Sequence, residues 1–239
     1  MRAAGPVCVQ AGRGDPLPEL EGADGVTILL VRHGQSANRS RGGGPPSPDP
    51  DLSAQGTAQA QTLGATLHSQ LAGRPVFCVV SPMRRAMFTA LPAVERLEIP
   101  RERFVCHGGL YEYGCCGKDE PRSLSTDIAK EFPVSTQGFN DDGTWNYVGN
   151  NEKETEEECR ARGVRFTAWF AKSLMPEVAA AGPRPVVMVV CHQTFGDLVA
   201  RILVERSSQE WGYGRIKYRL ANCGIIPFVV RPSGAITPM

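Results

Sequence analysis

The chain has 239 residues, of which 41% are hydrophobic and 21% are charged, a balance typical of a globular protein with a core of ordinary size. Its 26 basic and 25 acidic residues leave a net charge of +1, which argues against a general nucleic-acid or membrane-surface binder. The longest apolar run, 186–191, is too short to cross a membrane. We therefore expect neither nucleic acid nor a membrane as a partner.

The N-terminal residues 1–25 are rich in Gly, Pro and Ala and lack the charged and then apolar order of a secretory signal. We expect them to form a flexible extension, with organelle targeting left open, ahead of one folded domain over 26–239. The eight cysteines show no Cys-x-x-Cys pattern, and several lie in apolar runs where cysteine behaves as a small hydrophobe. This usage predicts a reduced, cytoplasmic protein.

Short apolar runs alternate with longer amphipathic stretches along 26–239. The runs predict strands at Val26–Val31, Val76–Val80, Arg103–Cys106, Val186–Cys191 and Ile225–Val230. The amphipathic stretches predict helices over 54–72, 83–94, 159–174 and 195–203, with Ser53 as an N-cap and Pro92 as a kink. This alternation predicts an α/β fold of three αβα layers around a mainly parallel sheet.

Two segments do not follow the alternation. Arg39–Asp51 is a Gly/Pro loop, and 112–154 is polar and mixed, with one weak helix candidate near Ser123–Phe132. Loops at strand ends usually carry ligand specificity in α/β domains. We therefore expect 112–154 to serve as a specificity or cap segment.

The segment LLVRHGQSAN, residues 29–38, carries the clearest chemical signal. An apolar strand ends there and Arg32, His33 and Gly34 follow at once, at the edge where open α/β sheets usually bind ligands. Gly34 has no side chain and would let a ligand approach the backbone closely.

Four more segments accompany it, LSAQGTAQAQTL at 52–63, SPMRRAMFTA at 81–90, LYEYGCCG at 110–117 and VMVVCHQTF at 187–195. In order and spacing the five segments resemble those of the histidine phosphatase superfamily, which includes phosphoglycerate mutases and acid phosphatases. The resemblance covers residues 26 to about 230. It implies a phosphoglycerate-mutase-like fold in which one strand of the sheet runs antiparallel.

The resemblance also implies a metal-independent and cofactor-free phosphomonoester hydrolase for a small phosphorylated metabolite. His33 would be the nucleophile that forms a phosphohistidine, and Glu112 would protonate the leaving oxygen, with Glu120 as the alternative acid. The groups around the phosphoryl oxygens would be Arg32, Arg85 and His192, and further substrate contacts would come from Gly34, Asn38 and Gln193. Arg85 is preferred to Arg84 because the family arginine directly precedes the alanine at 86.

The chemistry of phosphoryl transfer agrees with these roles. The reaction needs mainly in-line positioning and stabilisation of charge on the equatorial oxygens, and the planar fork of arginine binds two oxygens at once. A histidine nucleophile must be neutral, a state that neighbouring arginines favour. Because Glu112 must carry a proton to act as an acid, we expect activity to improve toward mildly acidic pH.

Other candidate residues have simpler interpretations. His68 is expected to be solvated, His107 to be an ordinary loop residue, and the acidic run 152–158 to be a solvated helix start. The residues that could contact the organic part or a second anionic group of a substrate are Tyr111, Tyr113, Trp145, Tyr147, Arg39 and Arg41.

Three departures from the mutase branch favour hydrolysis. The mutase segment that engages the carboxylate of phosphoglycerate is unrecognisable in 112–154. The Gly/Pro loop replaces the segment that follows the nucleophile in mutases, and Gln193 stands where most members carry glycine. A mutase of phosphorylated glycerates or sugars remains the enzymatic alternative. A catalytically weak phospho-ligand-binding protein is the alternative from another class. The sequence leaves the oligomeric state open.

Overall fold

The computed structural model describes residues 8–17, 25–39, 47–114, 124–145, 153–231 and 233–239, except for the side chain of Arg39. One sheet contains seven strands in the order β4-β3-β2-β5-β1-β6-β7. The strands are β1 (Val26–Arg32), β2 (Val76–Val80), β3 (Phe104–His107), β4 (Ser135–Gln137), β5 (Val186–Cys191), β6 (Ile225–Val230) and β7 (Ile236–Pro238).

The strands are connected mostly by helices. The helices are α1 (Ala54–Leu71), α2 (Arg84–Arg96), α3 (Ser125–Glu131), α4 (Glu156–Trp169), α5 (Met175–Ala180) and α6 (Gln193–Glu205). A π-helical turn, Phe170–Leu174, joins α4 to α5, and short 3-10 turns lie at Ala11–Arg13, Ala37–Arg39 and Arg101–Arg103. In the described ranges, no helix combines the length and the apolarity that a membrane span requires.

The sheet is covered on both faces, which confirms the three-layer α/β prediction. Alternate residues of β1, such as Leu29 and Val31, pack with α1 and α2 in one core. Their neighbours Ile28 and Leu30 pack with α4 and α6 in the other. Strands β2 and β5 are apolar throughout, as expected for strands whose two faces are both buried.

The strand directions agree with the expectation from the resemblance. β1 pairs in parallel with β5, β5 with β2, β2 with β3 and β3 with β4. Only β6 runs against the others of this sheet, since it is antiparallel both to β1 and to β7. The sheet is therefore mixed and mostly parallel.

Hydrogen bonds at the helix starts explain the capping signals in the sequence. The Ser53 hydroxyl oxygen accepts a hydrogen bond from the Gly56 amide at 3.0 Å, which confirms the predicted N-cap of α1. In α4, Thr155 and Glu158 form a reciprocal capping box. Pro92 lies within α2, which continues to Arg96. The weak helix candidate near Ser123–Phe132 corresponds to α3.

Strands β4 and β7 were not predicted. Each has only three residues, and its side chains are half-buried or exposed. Neither therefore shows the apolar run by which buried strands are found. Both strands depend on their neighbours, β3 for β4 and β6 for β7, to supply the pairing.

Residues 8–17 differ from the flexible extension that we expected over 1–25. Val9 exchanges two backbone hydrogen bonds with Ile225, of 2.8 and 2.9 Å, and the Gly12 amide donates to the Cys223 carbonyl at 3.0 Å. Ala11 and Leu17 are buried in the α1/α2 core. The segment is held because its few apolar side chains pack in that core. Its backbone also pairs with the start of β6 and with Cys223 just before it.

Candidate functional site

Three adjacent strands bring the first site residues together. β2, β5 and β1 are neighbours and parallel, so their carboxyl ends meet at one edge of the sheet. Ser81, His192 and His33 directly follow these strands. The amides of Ser81 and His33 donate to the β5 carbonyls of Val190 and Cys191, each at 3.0 Å. The imidazole centroids of His33 and His192 lie 5.1 Å apart.

The tautomer of His33 follows from its hydrogen bonds. Its Nδ1 lies 2.6 Å from the Gly34 carbonyl oxygen. Because a carbonyl can only accept, Nδ1 must carry the hydrogen, and Nε2 keeps a lone pair. The Arg85 Nε donates to that Nε2 at 3.3 Å. His33 is 8% exposed and Arg85 4% exposed, so the contact lies in a nearly closed site.

Helix α2 positions both Arg85 and the backbone that follows His33. Arg85 lies in its first turn, and one turn later the Thr89 hydroxyl accepts the Gly34 amide at 2.9 Å. The same hydroxyl donates to the Arg85 carbonyl at 2.6 Å. Arg84 instead forms ion pairs at the surface with Asp51 and Glu131, at 2.6 and 2.7 Å. The structure thus places Arg85, and not Arg84, beside His33.

Arg32 is held by the segment that precedes β6. Its Nη1 donates to the Leu220 carbonyl at 3.0 Å, and its backbone carbonyl accepts from the Cys223 amide at 2.9 Å. The Asn222 side chain donates to the His33 carbonyl at 2.9 Å. Residues 220–224 therefore hold both Arg32 and the backbone of His33 in place.

His192 is fully buried. Its Nε2 lies 2.7 Å from the Ser81 hydroxyl oxygen, and its Nδ1 makes no hydrogen bond to the residues that the structure describes. Burial lowers the pKa of His192 well below its usual value, and the charges of Arg85 and Arg32 lower it further. The imidazole is therefore neutral at neutral pH.

Glu112 caps the helix that begins directly after His192. Its Oε1 accepts from the Tyr113 and Phe195 amides, each at 2.9 Å, and its Oε2 accepts from the Thr194 amide at 3.3 Å. The amino end of a helix attracts negative charge, which explains why the carboxylate lies there. Glu112 is thus brought to the same helix start as His192. The alternative acid, Glu120, lies outside the described residues.

Helix α1 packs closely against the loop that carries His33. A Cβ at Gly34 would lie 2.8 Å from the Gly56 carbonyl oxygen, and a Cβ at Gly56 would lie 2.1 Å from the Gln35 carbonyl oxygen. The Ser53 hydroxyl donates to the Gln35 side chain at 2.7 Å, and the Gln59 side chain accepts the Gln35 amide at 3.0 Å. The second motif, at 52–63, therefore supports the first.

Comparison with known proteins identifies the family of this chain. A family model described as the histidine phosphatase superfamily (branch 1) matches residues 28–235. The chain belongs to this superfamily. None of the curated proteins is matched by the chain.

Solved structures share the histidine phosphatase fold at low sequence identity. The ecdysone phosphate phosphatase from Bombix mori, in complex with tungstate, has a TM-score of 0.63 at 15% identity, over 89% of this chain and 91% of that one. The mycobacterial glucosyl-3-phosphoglycerate phosphatase in complex with VO3 has a TM-score of 0.58 at 21% identity, over 89% and 96%. A protein described as mycobacterial hydrolase 1 has a TM-score of 0.57 at 23% identity, over 89% and 96%.

Asn38 and Gln193, which the superfamily resemblance implied as substrate contacts, form hydrogen bonds with backbone groups in this structure. Both amide atoms of Asn38 bind the backbone of Ser47, at 2.8 and 3.0 Å. Gln193 donates to the Tyr218 carbonyl at 3.0 Å and accepts the Leu220 amide at 2.7 Å. Each side-chain amide has an NH₂ donor and an acceptor oxygen, which pair with one backbone carbonyl and one backbone N–H.

The aromatic residues also separate into two groups. Tyr111 and Trp145 are buried with Met83 in a small cluster of their own, so they do not form an open lining. Tyr113 contacts the rings of Trp211 and Tyr213, with centroids 5.5 and 5.6 Å away. Tyr147, Arg41 and the side chain of Arg39 lie outside what the structure describes.

A buried ion pair supports the turn that precedes Glu112. Arg162 pairs with Glu154 at 2.6 Å, and both side chains are buried. Arg162 also donates to the carbonyls of Gly109 and Tyr111, each at 2.9 Å, which holds the turn that leads to Glu112. Burial by itself lowers the pKa of Arg162, but the hydrogen-bonded Glu154 more than compensates, so the pKa is raised. The predicted solvated acidic run therefore contains one buried, paired carboxylate.

The structure shows no candidate metal centre in its described ranges, where no three side chains of His, Cys, Asp or Glu are suitably grouped.

The site residues that sequence reasoning missed are Ser81, Thr89, Gln59, Arg162 and Asn222. The first three stand inside the motif segments, so their positions in the motifs were an available signal. Arg162 and Asn222 stand in no such segment and carried none.

Proposed function

We propose that this superfamily member hydrolyses a phosphate monoester of a small metabolite through a phosphohistidine on His33. The observation that carries the proposal is the fixed tautomer of His33. Its Nδ1 donates to the Gly34 carbonyl, which leaves the Nε2 lone pair beside Arg85 Nε. A neutral, oriented imidazole next to a guanidinium has the nucleophile and the charge stabilisation that phosphoryl transfer needs.

The proposed reaction has two steps. His33 Nε2 forms a bond to phosphorus while the bond from phosphorus to the ester oxygen breaks, and the leaving oxygen takes a proton from Glu112. Water then attacks the phosphohistidine, its proton returns to Glu112, and inorganic phosphate leaves with His33 regenerated. Arg32 and Arg85 stabilise the equatorial oxygens in both steps, so we propose that no metal ion is required.

Glu112 supports this scheme by its contacts. Oε1 accepts two amides while Oε2 accepts one long contact, which leaves Oε2 as the oxygen with room for a proton. We expect Glu112→Gln to lower kcat on an alkyl phosphate by about 10²- to 10⁴-fold. The loss should be much smaller on an aryl phosphate, whose leaving oxygen needs little protonation. Equal losses on both esters would argue against Glu112 as the acid.

Chemical trapping tests the central step. Acid-labile, base-stable radiolabel should appear on the wild-type protein after brief exposure to a labelled monoester, and His33→Ala should show neither label nor turnover. Excess chelator should leave phosphate release unchanged. Equal labelling of His33→Ala would contradict the assignment. Isomerisation of 3-phosphoglycerate that outpaces phosphate release would favour a mutase.

A further inference from the structure

We infer that Ser81 is a positioning residue that holds His192 in the tautomer with its hydrogen on Nδ1, so that Nδ1 donates to a phosphoryl oxygen. This inference rests on the proposed function. It concerns a hydroxyl group that does not itself bind substrate. Ser81 acts on the reaction through His192.

The hydrogen bonds of Ser81 leave one consistent arrangement. Its hydroxyl oxygen lies 2.7 Å from His192 Nε2 and also accepts the Met83 amide at 3.3 Å. Ser81 and His192 are both completely buried. With the Met83 amide on a lone pair, the hydroxyl hydrogen has His192 Nε2 as its acceptor.

The opposite tautomer is disfavoured at this position. If Nε2 carried the hydrogen, two N–H groups would point at the Ser81 oxygen. The hydroxyl hydrogen would then lack an acceptor among the described residues, and a buried donor without a partner is costly. Ser81 therefore donates and His192 Nε2 accepts, which places the imidazole hydrogen on Nδ1.

The other nitrogen of His192 points to a ligand. Nδ1 is buried and makes no hydrogen bond to the described residues, in a site that also contains Arg85 and His33. A buried N–H of this kind needs an acceptor, and phosphoryl oxygens only accept. A lone pair on Nδ1 would instead repel those oxygens.

Protonation of the His192 ring does not supply the Nδ1 hydrogen at neutral pH. An imidazolium ion would carry hydrogen on both nitrogens whatever its partners. Burial and the charges of Arg85, Arg32 and Arg162 hold the pKa of His192 well below its usual value. Because the ring stays neutral, its tautomer decides whether Nδ1 is a donor.

Nitrogen-15 NMR of the full chain with labelled histidine tests the tautomer directly. The chain has four histidines, and single substitutions assign their signals. We expect wild-type His192 to show its hydrogen on Nδ1. Ser81→Ala should lose this preference, weaken vanadate binding and lower kcat/KM on an aryl phosphate by about 10- to 100-fold. Ser81→Thr keeps the hydroxyl and should restore both the tautomer and the affinity.

Thr167→Val is the matched control, since Thr167 is also a buried hydroxyl but bonds only to helical carbonyls of Gly163 and Val164. It should leave the His192 signals and vanadate affinity unchanged. The inference is overturned if wild-type His192 carries its hydrogen on Nε2, or if folded Ser81→Ala keeps both tautomer and affinity. If Ser81→Ala does not fold, the wild-type and Ser81→Thr spectra still decide. Absence of phosphatase turnover in the wild type would contradict the proposed function alone, because the spectrum is measured independently.

Discussion

Neighbouring residues of the same type have opposite environments at the start of α2. Arg85 is buried and its Nε contacts His33 Nε2 at 3.3 Å, whereas the side chain of Arg84 is 30% exposed and binds carboxylates. Exposed ion pairs add little stability because water and salt screen them. A buried guanidinium at a phosphoryl site stabilises the charge that develops in the transition state.

This contrast makes Arg84 a matched control for Arg85. We expect Arg85→Ala to lower kcat/KM on a monoester by at least about 10²-fold, because one preorganised donor to the transferring group is lost. Arg84→Ala should change kcat/KM less than about threefold and the free energy of unfolding by about 1 kcal/mol or less. Steady-state kinetics and urea unfolding check both values, and a larger kinetic loss in Arg84→Ala would reverse the assignment.

His107 was expected to be an ordinary loop residue, but it ends β3 and is buried. Its ring lies 4.2 Å from that of Trp169 and 5.1 Å from that of Phe166, by centroids, and its Nδ1 accepts the Gly109 amide at 3.1 Å. Burial lowers its pKa to about 4 from 6.5. The folded protein therefore keeps His107 neutral where the unfolded chain takes up a proton.

The stability of the protein should consequently fall as the pH drops from 6.5 toward 4. Above this window His107 is unprotonated in both the folded and the unfolded protein. Within it only the unfolded chain binds the proton, so the free energy of unfolding falls by about 1.4 kcal/mol per pH unit. His107→Gln should flatten the dependence by about 2 kcal/mol between pH 7 and pH 5, measured by urea unfolding. The exposed His68 is the control, and His68→Gln should leave the slope unchanged. An unchanged slope in His107→Gln would show that His107 is not held neutral.

At the scale of elements, helices α1 and α2 determine where the loop that carries His33 lies. α1 contacts it through the closely packed Gly56, and α2 holds it through the hydrogen bond from the Gly34 amide to Thr89. The α1 contact allows no extra atoms, since a Cβ at Gly56 would lie 2.1 Å from a backbone oxygen of Gln35. The position of His33 thus depends on how closely these helices approach.

Gly56→Ala should therefore reduce activity more than its size suggests. The added methyl group must displace backbone, and overpacking of this kind costs about 1–3 kcal/mol of stability. We expect a loss of at least about tenfold in kcat/KM as His33 shifts from Arg85. Gly73→Ala is the control, because its Cβ meets nothing within 4 Å. Its positive φ of 79° costs about 1 kcal/mol of stability, while kcat/KM should stay unchanged. Equal activity in both variants would show that the α1 contact does not position the nucleophile.

At the scale of the whole molecule, the N-terminal segment braces the back of the site. Gly12 packs so closely that its Cβ would lie 2.4 Å from Cys223 Cβ, and Cys223 Sγ in turn lies against Gly34. Residues 8–17 precede the part of the chain that the family model matches. Cys223 is fully buried, and burial raises the pKa of its thiol to about 12.

Deleting residues 1–17 should therefore loosen the site from behind. The backbone pairing of Val9 with Ile225 and the burial of Ala11 would be lost, so we expect a lower Tm and faster alkylation of Cys223. Peptide mass mapping after iodoacetamide treatment measures the alkylation. Deletion of residues 1–7 is the control, since the pairing at Val9 remains. Protection of Cys223 in the longer deletion would show that the segment does not cover it.

The fold class and the main site positions were predictable from the sequence for local reasons. A strand buried on both faces shows as an apolar run, and the residue after it is placed at the ligand edge by topology alone. The end of β1 drew attention to Arg32 and His33 in this way, whereas their roles, and that of His192, were implied by the resemblance to the superfamily. β4 and β7 were missed because each has only three residues, half-buried or exposed, and so shows neither an apolar run nor an alternation of apolar and polar residues.

Contacts between residues distant in the chain were decided only by the tertiary structure. Ser81 meets His192 across 111 positions, and Glu112 reaches the α6 amides across 82 and 83. The approach of strands and helices creates these partners, so no local pattern marks them. For the same reason Asn38 and Gln193 bind backbone groups, and Glu154 is buried against Arg162. A polar side chain takes the partner that folding brings within hydrogen-bond distance, and its neighbours in the sequence do not specify that partner.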